Sequence, residues 1–411
     1  MTIIKPIEGG VCAAKGFSAA GFYCGIKESI TRKKDLAFIC SDVMAKVGGV
    51  FTTNQFAAAP VEWSRKVVQS GEAQAIFANS GVANACTGDE GRENVQKTLD
   101  LVARYSRIPK EKILVCSTGV IGVQLPMSMI SGGIPSVIAD LSPQARGSEH
   151  AADAIATTDT FLKEYAVEYE FEGKTIHVGG IAKGSGMIHP NMATMLCFIT
   201  TDFGISAAGI QQACKEAADD SFNMVTVDGD TSTNDTMLVL ANGMAGNEEA
   251  EPGTPAYAAF MEALKQVSCN LAKLIATDGE GATKLLECTV TGAAAKEDAR
   301  KAAKAVVTSN LVKAAFFGED ANWGRIICAV GYSGAHFDAA GVDLWLASDG
   351  GRVRLMSGGA GLSFDEEEAA AVLKEKEIKI QLRFHDGDAT ATAWGCDLSY
   401  EYVKINGEYR S

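Results

Sequence analysis

Acyl chemistry needs a nucleophile, a base and a place for negative charge. Residues 179–202, GGIAKGSGMIHPNMATMLCFITTD, hold candidates for the first two. A glycine-rich lead, read as flexible, carries one lysine, Lys183. His189, Pro190 and Asn191 then break any regular element. Ala193 and Thr194 follow, at the mouth of a continuous apolar run that reads as a buried strand. A hydroxyl placed there can attack the preceding carbonyl in an N→O acyl shift, and water can then hydrolyse the ester. Cleavage between Ala193 and Thr194 leaves Thr194 with a free α-amine, whose reference pKa is roughly 7.7–8.0. Such an amine can serve as base for its own hydroxyl near neutral pH. A threonine opening an ordinary strand looks the same, so these residues alone leave both readings open.

A place for negative charge is offered by residues 112–122, KILVCSTGVIG, where a strand runs into Ser117, Thr118 and Gly119. A strand-to-glycine turn presents backbone N–H groups to a developing oxyanion, although a plain turn has the same sequence. Residues 79–88, NSGVANACTG, suggest a tightly packed loop beside a ligand or another backbone. Glu280, flanked by glycines in DGEGATK, suits an ammonium group, or is a solvated loop carboxylate. The cluster at 318–325 and the tail 404–406, which contains Asn406, read singly as solvated loops. Residues 228–236, DGDTSTNDT, look superficially like a calcium loop. They fail as an EF-hand, with Thr233 at the required glycine and Val239 at the required glutamate. Residues 180–185 lack the G-K-[ST] ending of a P-loop, so neither segment reads as a metal or phosphate site.

The elements that must position these residues alternate along the chain. Strand-like runs occur at 75–78, 113–116, 195–200 and 237–241, and helical periodicity at 93–105 and 206–222, the second capped by Ser206. The Ala- and Lys-rich stretch 293–305 reads as a surface helix. Alternating segments at 378–384 and 389–394, with Asp386-Gly387 between them, read as a hairpin. The expected class is therefore α/β or α+β. A length of 411 residues suggests two or three domains, although no low-complexity linker divides them. The net charge of -14 argues against nucleic-acid or anionic-membrane partners. No run approaches a membrane span, and residues 1–10 resemble neither a signal nor a transit peptide, so a cytoplasmic setting is expected. The 11 cysteines form no C-x-x-C pair; Cys40, Cys116, Cys197 and Cys328 sit in apolar runs and are expected buried and reduced. The five histidines form no H-x-x-x-H pair, which weakens any metal or Ser-His-Asp proposal.

Taken in order, NSGVANACTG, STGVIG, TTDT at 157–160, KGSGMIHPNMATML, DGDTSTNDT, TDGEGATK, GEDANWGRI and WGCDLSYEYVKINGEYRS make the chain closely similar to the ornithine acetyltransferases over almost its whole length. The resemblance implies a layered α-β-β-α sandwich related to self-cleaving aminopeptidases. It implies self-cleavage at Ala193-Thr194, an α piece of residues 1–193 and a β piece of residues 194–411. The β piece would include a C-terminal α/β subdomain at about 285–405, and the pieces would associate as an α2β2 heterotetramer. Thr194 would be the nucleophile, and Thr118 with Gly119 the oxyanion site. Thr157, Lys183, Thr194, Glu280, Asn406 and the last residue, Ser411, would line the amino-acid pocket. Ser411 departs from the usual threonine, keeping the hydroxyl but losing a methyl. Val82 stands where a polar residue is common and is assigned no role. The implied reaction moves acetyl from N2-acetylornithine to glutamate without metal or organic cofactor, and leaves acetyl-CoA open as a second donor.

Two rival readings predict different behaviour. An N-terminal-threonine aminopeptidase or amidase of the same fold would hydrolyse the acyl-threonine instead of passing it to glutamate. A non-catalytic amino-acid-binding protein would bind ligand but not cleave itself.

Overall fold

The computed structural model describes residues 3–27, 33–189 and 195–408. Strands β1 (Ile4–Ile7), β2 (Phe17–Phe22) and β3 (Leu36–Phe51) lead to α1 (Ala59–Gln69), β4 (Glu72–Val82), α2 (Gly88–Ser106), β5 (Ile113–Val120), α3 (Met127–Ala139) and α4 (Ala145–Ile155). Next come β6 (Lys163–Phe171), β7 (Lys174–Lys183), β8 (Leu196–Thr201), α5 (Ala207–Asp220), β9 (Val225–Thr226), β10 (Thr236–Ala241) and α6 (Pro255–Thr277). The last third holds β11 (Leu285–Ala293), α7 (Lys296–Thr308), α8 (Asn310–Phe317), α9 (Trp323–Gly331), β12 (Asp343–Ser348), β13 (Gly351–Ser357) and β14 (Ala360–Gly361). It closes with α10 (Glu366–Leu373), β15 (Glu377–Arg383), β16 (Ala389–Cys396) and α11 (Tyr400–Glu408).

Among the described residues the strands form two mixed sheets with helices packed on them, an α/β architecture. The first has the order β1-β6-β7-β8-β10-β3-β4-β5, with β2 paired to β3. At its centre β8 and β10 run parallel, Leu196 opposite Thr236, between antiparallel β7 and β3. Both faces of these strands are covered, which is why their sequences are apolar without alternation. Cys197, Ile199, Met237 and Val239 join the core under α5 and α6, while Leu196, Phe198, Leu238 and Leu240 join the core under α4. The runs at 75–78, 113–116, 195–200 and 237–241 thus fall on β4, β5, β8 and β10. Helix α5 begins as its sequence requires: Ser206 Oγ accepts from Gly209 N at 3.1 Å, and Ile210, Cys214 and Ala217 are buried.

The second sheet has the order β14-β13-β12-β15-β11-β16-β9. Helix α6 packs against strands of both sheets, so the second sheet shares a continuous core with α5 and α6.

Four local expectations need correction. The lead to Lys183 is not a flexible loop but strand β7, paired residue by residue with β6 and β8. Its glycines serve close packing: a Cβ on Gly179 would lie 2.0 Å from Gly10 O. The helix expected at 293–305 starts later, because Ala293 still pairs with Ala389 in β11, and its Ala299, Ala302, Ala303, Val306 and Val307 are buried rather than on the surface. Asp386-Gly387 does not close a hairpin. Strand β11 lies between β15 and β16, and the turn arches over its end, Asp386 N donating to Gly292 O at 2.9 Å. Cys116 and Cys197 are buried, but Cys40 is half-buried and Cys328 is exposed. Cys328 lies on α9, whose Ile326, Ala329 and Val330 face inward, so helical periodicity turns the thiol outward.

Candidate active site

The cleft begins where β5 ends. Gly119 has φ +131° and stands opposite Gly81 across the parallel β4–β5 pair. A Cβ on Gly119 would lie 2.3 Å from Gly81 C, so STG approaches NSG as closely as it does because Gly119 carries no side chain. Asn234 Nδ2 ties this corner together, donating to Ala83 O at 2.6 Å and Ser117 O at 2.8 Å. Strand β7 brings Lys183 beside it, opposite Leu196 of β8. The resulting cleft, about 620 Å³ with its open mouth, is lined by Thr118, Gly119, Thr157, Lys183, Glu280 and Asn406 among others. All six expected pocket or oxyanion residues within the described parts of the chain therefore meet at one place. Ala193, Thr194 and Ser411 lie outside the described residues.

The floor of the cleft is a buried charge network. Lys163 Nζ donates to Asp159 Oδ1 at 2.6 Å and also to Asp278, and all three side chains are enclosed. Asp159 also accepts from Gly184 N at 2.8 Å and Thr157 N at 2.9 Å, fixing the backbone directly after Lys183 and at Thr157. Burial alone would raise the Asp159 carboxyl, but Lys183 and Lys163 outweigh it and hold the carboxyl well below the usual aspartate range. Lys183 Nζ lies 3.4 Å from Thr118 Oγ1. Burial pushes Lys183 below the usual lysine value, against the opposing pull of Asp159, Asp235 and Glu280. A cation so placed gains from any anionic ligand that enters.

The rim is built from the turn after α6 and from α11. Glu280 N donates to Ser185 O at 2.8 Å, and Asn406 Nδ2 donates to Glu280 Oε2 at 2.9 Å. Gly186 makes room for the carboxylate: a Cβ there would lie 2.3 Å from Glu280 Oε2. Glu280 is half-buried and Asn406 is exposed. The cleft thus offers a sunken cation and a more open anion, the pattern that suits an amino acid with a second ammonium group.

Residues 228–236 brace the backbone at residues 187–189, after β7. Asp228 accepts from Met187 N at 2.6 Å and Ile188 N at 2.8 Å, and Thr231 Oγ1 donates to His189 O at 3.1 Å. Directly before β8, Asp235 Oδ1 accepts from Met195 N at 2.8 Å. Sequence reasoning missed Asp159, Lys163, Asp278, Asn234 and Asp235. Asp159 lies within the TTDT segment and the last two within DGDTSTNDT. Lys163 and Asp278 are 115 residues apart, and no local pattern links them. Among the described residues no group of three or more His, Cys, Asp or Glu is placed to hold a metal ion, and no helix is long and apolar enough to cross a membrane.

The model of the ArgJ family matches residues 18–411. The arginine biosynthesis bifunctional protein ArgJ of Symbiobacterium thermophilum is 55% identical over 405 residues, covering 98% of this chain and 99% of the relative. The protein of the same description from Caldanaerobacter subterraneus is 53% identical over the same shares. A crystal structure of the arginine biosynthesis bifunctional protein argJ from Bacillus halodurans is 47% identical, covering 52% of this chain and 98% of that one, with a TM-score of 0.48. On the family match and the two near full-length relatives, the chain belongs to the ArgJ family.

Proposed function

We propose that the protein cuts itself between Ala193 and Thr194 and then uses Thr194 to carry acetyl from N2-acetyl-L-ornithine to L-glutamate. Its family makes it an enzyme of arginine biosynthesis that acts on small molecules. The observation that carries the finer reading is the meeting of Thr118, Gly119, Lys183 and Glu280 in one cleft, at the end of the sheet where β8 begins.

The reaction is ping-pong. Thr194 Oγ attacks the acetyl carbonyl of acetylornithine while the Thr194 α-amine takes the proton. Thr118 and Gly119 hold the oxyanion. The intermediate collapses, the proton passes to the leaving nitrogen, and ornithine departs from an acetyl ester on Thr194. The amine of glutamate then attacks that ester, giving N-acetylglutamate and the free hydroxyl. Both substrates carry an α-carboxylate for Lys183, and ornithine brings a side-chain ammonium for Glu280, which Asn406 orients. Thr157 is fixed through Asp159, and Ser411 is assigned to the same pocket.

Cleavage would divide the chain into residues 1–193 and 194–411. Strands β8 and β10 of the second piece lie between β7 and β3 of the first, so the pieces would stay interleaved in one sheet. One cut gives an αβ pair; the α2β2 assembly is carried by the family resemblance alone. The test is a transfer assay with glutamate as acceptor, run in parallel with acetylornithine and acetyl-CoA as donors, alongside N-terminal sequencing. The β fragment should begin Thr-Met-Leu-Cys, and Thr194→Ala should remain one inactive chain. An intact wild-type chain with full transferase activity would remove Thr194 from the mechanism. Acetyl release at equal rate without glutamate would favour the hydrolase.

A further inference from the structure

Lys27 stands outside the cleft lining, yet it reaches the residue before Thr157. Its own backbone is fixed by the fully buried Asp35. That carboxylate accepts from Cys24 N at 2.7 Å, Gly25 N at 2.9 Å, Ile26 N at 2.7 Å and Lys27 N at 3.3 Å. From this anchor Lys27 Nζ donates to Lys34 O at 2.7 Å and, across 129 residues of sequence, to Ala156 O at 2.5 Å. Ala156 is the C-cap of α4, where helical carbonyls run out of partners along the chain. The other side of the same peptide bond is held as well, because Thr157 N donates to Asp159 Oδ2 at 2.9 Å. One planar unit is therefore gripped by a cation at its carbonyl and by an anion at its N–H, and it cannot turn without breaking both bonds. Burial pushes the Lys27 ammonium down to about 8; Lys183 of β7 and Lys33 add to the fall, and Asp153 of α4 and Asp35 oppose it. It is still charged at neutral pH.

We propose that Lys27 is a positioning residue for the amino-acid pocket: by holding Ala156 O it sets the direction in which Thr157 enters the cleft. Thr157 lines that cleft together with Thr118, Lys183 and Glu280. Its Cα belongs to the gripped peptide plane, so its hydroxyl starts from a fixed point and loses little freedom when a ligand arrives. Asp159 also serves Lys163 and Gly184, so it cannot be changed without disturbing the floor of the cleft. Lys27 acts on the Ala156–Thr157 peptide from the opposite side and can be changed without touching that floor. This inference rests on the cleft taking acetylornithine, and it adds a residue that shapes the pocket without touching the substrate.

Lys27→Met keeps an unbranched chain of similar length and removes the donors. It should self-cleave completely and keep kcat within about threefold of wild type, while KM for acetylornithine rises about tenfold, as for one lost hydrogen bond to a charged group. Tm should fall too, because Lys34 O loses its partner. A packing defect could raise KM by itself, so the deciding measurement is a double-mutant cycle with Thr157→Ala. If Lys27 acts through Thr157, Thr157→Ala raises KM on its own, and adding Lys27→Met raises it by less than about twofold more. Lys27→Gln, which keeps an N–H₂ on a shorter chain, carries the same cycle if the Met variant does not fold. KM losses that multiply in the double variant would overturn the inference, as would a wild-type KM in cleaved Lys27→Met. Thr157→Ala with a wild-type KM would take Thr157 out of the pocket and this inference with it. Wild-type protein that transfers no acetyl from acetylornithine would instead overturn the reading of the cleft on which the inference rests.

Discussion

Beneath the cleft, Lys163 is sealed between Asp159 and Asp278; at its mouth, Glu280 is held by Asn406 on an exposed helix. Both are charges at one site, but they are stabilised by different means. The floor has exchanged water for fixed partners, so each member depends on the others. The rim keeps access to water, so its charge is free to answer a ligand. A change in the floor should therefore be felt by the fold, and a change at the rim by the substrate.

The largest effect expected from this contrast is in Lys163→Met. It leaves two buried carboxylates facing each other and should cost about 3–5 kcal/mol of unfolding free energy, read by denaturant titration. Stability within 1 kcal/mol of wild type, an order-of-magnitude margin for a surface change, would erase the distinction between floor and rim.

Glu280→Gln probes the rim. It keeps size and hydrogen bonding but removes the charge, and should lower kcat/KM for acetylornithine by roughly 2–5 kcal/mol in transition-state terms. Self-cleavage involves no ligand ammonium and should go to completion, with Tm unchanged. Near-normal kinetics in the cleaved variant would show that the ammonium is bound elsewhere.

Thr118→Ala falls between the two, since Thr118 is buried yet lines the cleft. It should lower kcat by about a hundredfold with little change in KM, as expected for one lost oxyanion donor. An unchanged kcat would take Thr118 out of the site.

The smallest effect belongs to a charge cluster away from the cleft. Asp220 meets Lys296 at 2.7 Å, Lys265 at 3.0 Å and Arg300. Burial would raise its carboxyl, but these three cations bring it down to about 2. A depressed carboxyl contributes stability above its unfolded value, roughly 3.9, and loses that contribution as pH falls through its folded value. Asp220→Asn should therefore cost on the order of 2 kcal/mol at neutral pH, and the deficit should vanish as pH falls toward 2. A deficit that persists at that pH would mean packing rather than charge. Activity should be unaffected at every pH at which the protein is folded.

Much of the framework was written locally. Apolar runs without alternation marked the central strands because both faces of β8 and β10 are covered, and Ser206 marked the start of α5 by its capping chemistry. The type of chemistry at Thr118, Gly119, Lys183 and Glu280 could also be stated from residue identity, once the ordered segments were seen to resemble one family. Tertiary structure decided what depends on partners distant in sequence. It turned the glycines before Lys183 from a flexible lead into closely packed strand positions, and it inserted β11 between two strands that read as a hairpin. It also paired Lys163 with an aspartate 115 residues away and gave residues 228–236 their work as a brace. Local sequence records a residue's propensity and chemistry; desolvation and pairing are set by whatever the fold packs against it.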